Sequence, residues 1–195
     1  FDEVATGFGR TGHRFVADVV EPDILVLGKA LTGGYLGHAV TVANDKVFSA
    51  FYDDNPDHAL MHGPTFMGNA LACRVALASI SLFEEEHTME KIQRIEEITR
   101  LEMAGFTDPR IREIRIMGGC VCIEVHDPAV LEGYAAFARQ RGVFSRPFLS
   151  YLYAMVPYVI SEAELVQVLD TMKAWFRQNC LYAAAVDLSC LSGII

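Results

Sequence analysis

The hydrophobic pattern of the chain begins with two short strand-like runs and continues with longer helical repeats. Residues 23–28, DILVLG, are continuously apolar after the first position, and residues 38–44, HAVTVAN, are rich in β-branched side chains. We predict a strand in each, the first covered on both faces because polar residues do not alternate with the apolar ones. Apolar residues then recur at helical spacing over 68–86 and 89–103, which predicts two helices.

The pattern changes after a break at Gly105, Asp108 and Pro109. We place a domain boundary between residues 105 and 106 and predict a small α+β domain over 106–179. Residues 180–195 form an apolar tail that carries no motif, and its role is unknown. The predicted elements of the small domain are a strand over 113–125, a helix over 129–141, strands over 143–146 and 151–156, and a helix over 161–178.

Composition and charge exclude several classes of protein. The chain has 195 residues, 52% of them hydrophobic, a net charge of -9 and a pI of about 5.1, so a sequence-independent nucleic-acid surface is not expected. No apolar segment is long enough to cross a bilayer, and the opening FDEVATG lacks the features of a secretory signal. We therefore expect neither nucleic-acid nor membrane partners.

The five cysteines match neither a disulfide framework nor a zinc site, because their number is odd and their spacing irregular. Cys120 and Cys122 lie two positions apart in the apolar segment IMGGCVCIEV, which would put both thiols on one face of a strand. A metal or redox pair is one interpretation. Ordinary packing is the favoured one, so we predict reduced, buried thiols, a cytoplasmic compartment and no metal site.

Lys29 and Asp2 are the first candidates for chemistry. Lys29 stands directly after the apolar run and Gly28. A lysine amine beside an apolar wall can form a Schiff base with a carbonyl compound or with pyridoxal phosphate, while the alternative is a strand-end lysine that reaches water. Asp2 follows an aromatic residue at a predicted strand end, where it could pair with a pyridine nitrogen or simply cap nearby amides.

The segment HGPTF supplies Gly63, Pro64 and Thr65 ahead of a predicted helix. A small turn with a hydroxyl and exposed N–H groups suits a phosphate. The alternative is an ordinary helix start with Thr65 as its cap.

Two arginines are candidates for binding a carboxylate. Arg10 lies in GFGRTG, and Arg146 lies in FSRPF between Phe144 and Phe148. A guanidinium presents a planar fork that matches a carboxylate, and one held between apolar residues needs an anionic partner. An internal salt bridge would satisfy Arg146 equally well.

The order of these motifs is more informative than any one of them. DEVATGFGRTG, then an apolar strand that ends in GKAL, then HGPT and a helix, resembles the class III aminotransferases. The resemblance covers most of residues 1–178. It implies an α/β protein with part of the fold-type I architecture of pyridoxal-phosphate-dependent transferases, in which residues 1–105 form the C-terminal part of the large cofactor-binding domain.

The resemblance also implies a role for each candidate at the cofactor. Lys29 corresponds to the lysine that forms the Schiff base with pyridoxal 5'-phosphate and moves a proton during catalysis. Asp2 corresponds to the carboxylate that pairs with the pyridine nitrogen. Pro64 and Thr65 correspond to the turn that binds the cofactor phosphate across the interface of a homodimer.

Further positions match the substrate site of the family. Gly63 lines the pocket, Arg146 corresponds to the arginine that binds the substrate carboxylate, and Arg10 to a second arginine of the substrate site. Tyr153 falls near the same pocket.

Three segments narrow the resemblance to the biotin-biosynthetic branch of the family: KALTGGYLGHAVTVA, MHGPTFMGNALAC and GVFSRPFLSYLYAMVPYVI. This implies amino transfer from S-adenosylmethionine to 8-amino-7-oxononanoate, which yields 7,8-diaminononanoate. Two departures lie beside the substrate wall. Leu149 stands where relatives usually have glycine, and Val156-Pro157 stands where they have two prolines.

The family also has a long N-terminal portion that supplies a phosphate loop and an aromatic residue stacked on the cofactor ring, and the sequence contains neither. We expect the chain to be part of a longer enzyme and the 195 residues alone to be inactive. Two alternatives remain at this point: a class III aminotransferase for another amine or ω-amino acid, and an inactive fragment that associates with a partner chain.

Overall fold

A computed structural model describes the backbone of residues 1–189 and the side chains of residues 1–178. Contacts divide the chain into two compact units, Phe1–Ile92 and a second unit that begins at Gln93. The domain boundaries placed at residues 105 and 179 stay predictions. Within residues 1–189, none of the helices combines the length and the apolar character that crossing a bilayer would require.

The sheet of the first unit contains two antiparallel strands, β1 (Ile24–Leu27) and β2 (Val40–Ala43), as predicted. The N-terminal residues run parallel to β1: the Val26 N–H donates to the Phe1 carbonyl at 2.8 Å, and the Glu3 N–H donates to the Val26 carbonyl at 2.9 Å. The chain therefore enters the fold as a short extended segment alongside the strand that precedes Lys29.

The prediction that β1 is covered on both faces is wrong for this chain. Ile24 is 42% exposed, and the other three strand residues are only partly buried. The reason is that the described sheet has two strands, so too little of the fold surrounds β1 to cover it.

Helices complete the first unit, and its small core lies beneath them. The short helix α1 (Asp45–Ser49) follows β2, and the predicted helices are present as α2 (Ala70–Glu85) and α3 (Thr88–Met103), which crosses into the second unit. The Asn69 side chain caps α2 by accepting from the Ala72 N–H at 2.9 Å, so Thr65 is not the cap. The core consists of Phe8, Leu31 and Ala76, with Phe15, Val40 and Phe83 packed against them.

The second unit has a three-stranded antiparallel sheet in the order β3 (Ile111–Met117), β4 (Cys120–Val125), β5 (Tyr151–Met155). The single strand predicted over 113–125 is wrong, because Gly118 adopts a φ of 52° and the run folds back as a hairpin. The strand predicted over 143–146 is also absent.

The helices of the second unit differ from the prediction at their ends. A 3-10 turn at Pro128–Leu131 is separated from α4 (Tyr134–Gln140) by Gly133, whose φ is 84°, so the helix predicted over 129–141 is interrupted. The next helix, α5 (Glu162–Ser189), runs beyond its predicted end at residue 178. Of the tail, residues 190–195 lie outside the described residues.

The start of α5 follows the sequence pattern closely. Glu164 Oε2 accepts from the Ser161 N–H at 2.9 Å and from its hydroxyl at 2.7 Å, and the Glu164 N–H donates back to Ser161 Oγ at 3.3 Å. This reciprocal pairing is a capping box, and it fixes where the helix begins.

The inner face of the three-stranded sheet forms the main core. Val121 and Ile123 of β4 are buried against a cluster that includes Leu169 of α5. Alternation along β4 then turns Cys120 and Cys122 to the opposite face, where both are only partly buried. The prediction that these thiols are buried by ordinary packing is therefore wrong.

Candidate functional site

Lys29 lies on a tight turn directly after β1. Gly28 is buried, and a Cβ added to it would lie 3.4 Å from Val4 Cγ1, so the Val4 side chain packs against this glycine. Lys29 itself is exposed and has a φ of 45°, the left-handed conformation that non-glycine residues rarely adopt. Strain of this kind persists only where the surrounding structure enforces it, and it is concentrated at functional sites.

The turn that carries Lys29 is anchored from three sides. Lys29–Thr32 form a 3-10 turn in which Leu31 enters the core. The Thr32 hydroxyl donates to the Leu36 carbonyl at 2.5 Å, and Ser79 Oγ of α2 donates to the Ala30 carbonyl at 3.1 Å. The backbone of Lys29 is thereby held in place while its amine faces solvent.

Asp2 lies on the segment that runs alongside β1. It bridges Val26, three positions before Lys29, and its Oδ1 accepts from the Val4 N–H at 3.0 Å. The fold therefore brings a carboxylate and an amine, distant in sequence, to neighbouring backbone segments that run in the same direction. The exposed side chain of Asp2 remains available to a further partner.

Glu3, which sequence reasoning passed over as a neighbour of Asp2, is a buried structural carboxylate. Its side chain is 2% exposed. Oε2 accepts from the Val16 N–H at 2.8 Å, and Oε1 accepts from the Ala17 N–H at 2.9 Å. Adjacent residues of an extended segment point to opposite faces, which separates the roles of the two acids. This alternation of side chains was the feature of the sequence that could have distinguished the role of Glu3 from that of Asp2.

Replacing Glu3 with glutamine is expected to lower the free energy of unfolding by about 2 kcal/mol. The amide can accept one of the two backbone hydrogen bonds but turns an NH₂ group towards the other donor. Urea denaturation followed by circular dichroism measures the change, and Glu21→Gln at an exposed position is the control. Equal effects of the two substitutions would contradict the structural role of Glu3.

Arg10 projects from a glycine-rich turn. The Gly9 N–H donates to the Arg14 carbonyl at 3.0 Å, and the Gly12 N–H donates to the Gly9 carbonyl at 2.9 Å. Arg14 forms an ion pair with Glu84, which ties the end of the loop to α2. Arg10 is half-buried on this braced loop, so its position is well defined.

Gly63, Pro64 and Thr65 lie in an exposed loop before α2. The Met67 N–H donates to the Pro64 carbonyl at 2.9 Å and closes a turn there. No hydrogen bond within residues 1–189 links these three residues to Lys29 or Asp2, so the described chain does not bring the loop to the lysine through its own polar contacts.

Arg146 and Tyr153 line one cleft of the second unit, with a volume of about 670 Å³. Arg146 is exposed, and Phe144 beside it is 89% exposed, so the apolar neighbours do not bury the guanidinium in this chain. Ser145 Oγ donates to the Tyr153 carbonyl at 3.4 Å, which fastens the arginine segment to β5. Hydrogen bonds from Ser161 lower the pKa of Glu164 on the same wall.

Leu149 occupies a strained turn three residues after Arg146. Phe148 and Tyr151 exchange backbone hydrogen bonds of 2.8 and 2.9 Å, and Leu149 between them has a φ of 51°. The geometry explains why glycine is the usual residue at this position in the family that the sequence resembles. The other departure, Val156, is buried in the core of the unit.

Replacing Leu149 with glycine is expected to raise the free energy of unfolding by about 1 kcal/mol, because glycine adopts the left-handed conformation without strain. Leu149→Ala is the control, since it removes the side chain but keeps the Cβ that causes the strain. Thermal denaturation of both variants measures the difference. If alanine stabilises the protein as much as glycine, backbone strain is not the cause.

Comparisons with known proteins agree with this geometry. Residues 1–176 match the family described as Aminotransferase class-III. The adenosylmethionine-8-amino-7-oxononanoate aminotransferase of Corynebacterium glutamicum is 38% identical over 179 residues, which cover 89% of this chain and 42% of that protein. The enzyme of the same name from Aquifex aeolicus is 40% identical over 191 residues, covering 88% of this chain and 41% of that protein.

Solved structures give the same result. A crystal structure of adenosylmethionine-8-amino-7-oxononanoate aminotransferase from Methanocaldococcus jannaschii superimposes with a TM-score of 0.79 at 32% identity, covering 90% of this chain and 44% of that one. The ornithine aminotransferase of Toxoplasma gondii superimposes with a TM-score of 0.74 at 29% identity, covering 91% and 42%. The chain thus spans less than half the length of these relatives, and the predicted α/β, partial fold-type I architecture is confirmed.

Proposed function

The chain belongs to the class III aminotransferase family, and on this premise we propose that it carries the central residues of a pyridoxal-phosphate-dependent amino transfer from S-adenosylmethionine to 8-amino-7-oxononanoate. The product would be 7,8-diaminononanoate, an intermediate of biotin biosynthesis. The observation that carries the proposal is the placement of Asp2 beside the strand that leads into Lys29.

The residues present fit pyridoxal phosphate. Asp2 and Lys29 are both exposed, carry opposite charges and stand on neighbouring segments, which backbone hydrogen bonds from Val26 to Phe1 and from Glu3 to Val26 hold together. Bound pyridoxal phosphate would supply an electron sink that stabilises negative charge at the substrate carbon losing its proton. The protein's task is to orient the cofactor and to move protons around it.

Lys29 would act as the base and acid of the reaction. A neutral lysine amine can take a proton from the substrate carbon and return it elsewhere, which is general acid–base catalysis. The anchored turn beneath Lys29 suits this role, because the backbone stays fixed while the flexible side chain carries the amine between two positions. Asp2 would keep a proton on the pyridine nitrogen by offering it a carboxylate partner.

Pro64 and Thr65 would bind the cofactor phosphate, and Gly63 would line the substrate pocket. Their exposure is compatible with a site completed by a second copy of the chain, so we propose a homodimer in which this loop reaches the partner's cofactor. A turn that displays a hydroxyl and backbone N–H groups suits the anion.

Arg146 would bind the substrate carboxylate, with Tyr153 beside it and Arg10 as a second arginine of the substrate site. The cleft shared by Arg146 and Tyr153 has apolar walls, which suits a substrate with an aliphatic chain that ends in a carboxylate. A guanidinium fork at the mouth of such a cleft would recognise the charged end.

A second candidate is the same reaction type with a different amine. The strained Leu149 favours it, since this departure from glycine comes only three residues after Arg146, the proposed carboxylate ligand. As the compartment we propose the cytoplasm, because Cys73, Cys120 and Cys122 are thiols rather than disulfides.

A chimera tests the proposal. Residues 1–178 of this chain would replace the matching part of the Corynebacterium glutamicum relative. With pyridoxal phosphate, S-adenosylmethionine and 8-amino-7-oxononanoate, the chimera is expected to form 7,8-diaminononanoate, measured by mass spectrometry. Ornithine, 4-aminobutyrate and simple amines replace S-adenosylmethionine in parallel assays.

The intact relative is the positive control, and the 195-residue chain alone is expected to be inactive. Preference for another donor would support the second candidate. A folded chimera that binds pyridoxal phosphate but transfers no amino group from any donor would contradict both candidates and favour a chain that only associates with a partner.

A further inference from the structure

Four sulfur-bearing side chains gather on the outer face of the three-stranded sheet. Cys120 of β4 is in register with Met117 of β3 on one side and with Met155 of β5 on the other. Cys122 follows two positions along β4 on the same face. Directly opposed side chains of antiparallel strands have Cβ atoms about 4.5–5.5 Å apart, so the three residues form a continuous sulfur row across the sheet.

Burial establishes which way these side chains point. Val121 and Ile123, which alternate with the cysteines, are 3% and 0% exposed and belong to the core. Met117 and Met155 are 53% and 48% exposed, although methionine is an apolar residue. The sulfur row therefore faces away from the core and can be reached from solvent in the described chain.

The spacing of the two cysteines suits a shared metal ion. Residues two apart on a strand are separated by about 7 Å along its axis. Thiolate–metal bonds are about 2.3 Å long for zinc, so two sulfurs on one ion lie within about 4.6 Å of each other, a separation that side-chain rotation can reach.

The ligand types decide which ion would bind. Within the described residues, no group of three or more His, Cys, Asp or Glu side chains could hold a metal, which leaves no set of the usual zinc donors. Two thiols with two thioethers are soft donors, and soft donors select Cu(I) over the divalent cations that prefer nitrogen and oxygen.

Cys122 is flanked across the sheet by Arg115 of β3 and Tyr153 of β5. The Arg115 guanidinium forms ion pairs with Glu113 and Glu124, so two carboxylates balance its positive charge beside the proposed site.

We propose that Cys120, Cys122, Met117 and Met155 form a binding site for a soft monovalent cation, Cu(I) or its analogue Ag(I). Binding replaces the thiol protons and involves no change in oxidation state. The site lies in the second unit, and its proposed ligand Met155 also lines the cleft that contains Arg146 and Tyr153.

Competition for Cu(I) tests this site in the reduced 195-residue chain. A colorimetric Cu(I) chelator competes with the protein, and native mass spectrometry with Ag(I) counts bound ions. One ion per chain is expected, with zinc unable to displace it. Cys120→Ser/Cys122→Ser is expected to lose that ion, and Met155→Leu is expected to weaken binding by about tenfold.

The remaining cysteines provide matched controls. Cys73→Ser and Cys180→Ser/Cys190→Ser should retain the ion with unchanged affinity. Circular dichroism of every variant checks that the outward substitutions leave the fold intact. Retention of the ion by Cys120→Ser/Cys122→Ser would overturn the proposal. An unchanged affinity of Met155→Leu would overturn it too, because the thioether would then not be a ligand.

Discussion

Replacing Lys29 with alanine is expected to abolish amino transfer by the chimera, with a loss on the order of 10²- to 10⁴-fold or greater. That range is the usual contribution of a general acid–base group, and Lys29 is proposed to fill both roles. The turn beneath it is held by Leu31, Thr32 and Ser79, none of which the substitution touches. The assay is formation of 7,8-diaminononanoate under saturating substrates.

Lys29→Arg separates proton transfer from charge. Arginine keeps the positive charge but does not deprotonate in proteins, so this variant is expected to be as inactive as Lys29→Ala. Lys46→Ala is the control, because Lys46 is an exposed lysine of the same unit paired with Asp23. Substantial activity in Lys29→Arg would show that only the charge is needed.

The stability of Lys29 variants gives a second, independent test of the role of Lys29. With a φ of 45°, Lys29 stands where glycine would be less strained. Lys29→Gly is therefore expected to raise the free energy of unfolding by about 1 kcal/mol while losing activity. Lys29→Ala is expected to lose activity without any rise in the free energy of unfolding. A residue that lowers stability but is needed for chemistry is the pattern expected of a functional site.

Periodicity was enough to predict the elements that depend on local pattern. The strands around Ile24–Leu27 and Val40–Ala43 and the helices Ala70–Glu85 and Thr88–Met103 follow from apolar runs and helical spacing. Family membership required the order of several motifs, since each alone had an ordinary structural explanation. The roles assigned to individual site residues stay predictions.

The errors arise where tertiary context outweighs local pattern. The hairpin at Gly118 was missed because the residues on both sides of the turn have the pattern of a strand, so the two strands were predicted as one. Glu3 was passed over because its partners, the Val16 and Ala17 N–H groups, come from another part of the chain. Cys120 lies in an apolar segment, yet the sheet turns it outward, and sequence alone does not say which face of a strand is covered.

Replacing Gly9 with alanine is expected to lower the free energy of unfolding by about 4 kcal/mol, the largest stability effect among these variants. Gly9 has a φ of 86°. A Cβ there would lie 2.2 Å from Ile92 Cδ1 and 3.1 Å from Met89 Sδ. Ile92 is completely buried, so it cannot move aside without displacing the core.

Gly34→Ala measures the conformational strain alone, so the steric part of the Gly9→Ala effect is obtained by difference. Gly34 has nearly the same φ, 85°, but a Cβ there would meet nothing within 4 Å. Its cost should be the conformational strain alone, about 1 kcal/mol, and the excess in Gly9→Ala is then the clash with Ile92. The loss of stability in both variants is measured by amide hydrogen exchange of peptides from β1 and α2. Equal losses of protection would mean that the glycine-rich loop does not pack on Ile92, and the braced position of Arg10 would lose its support.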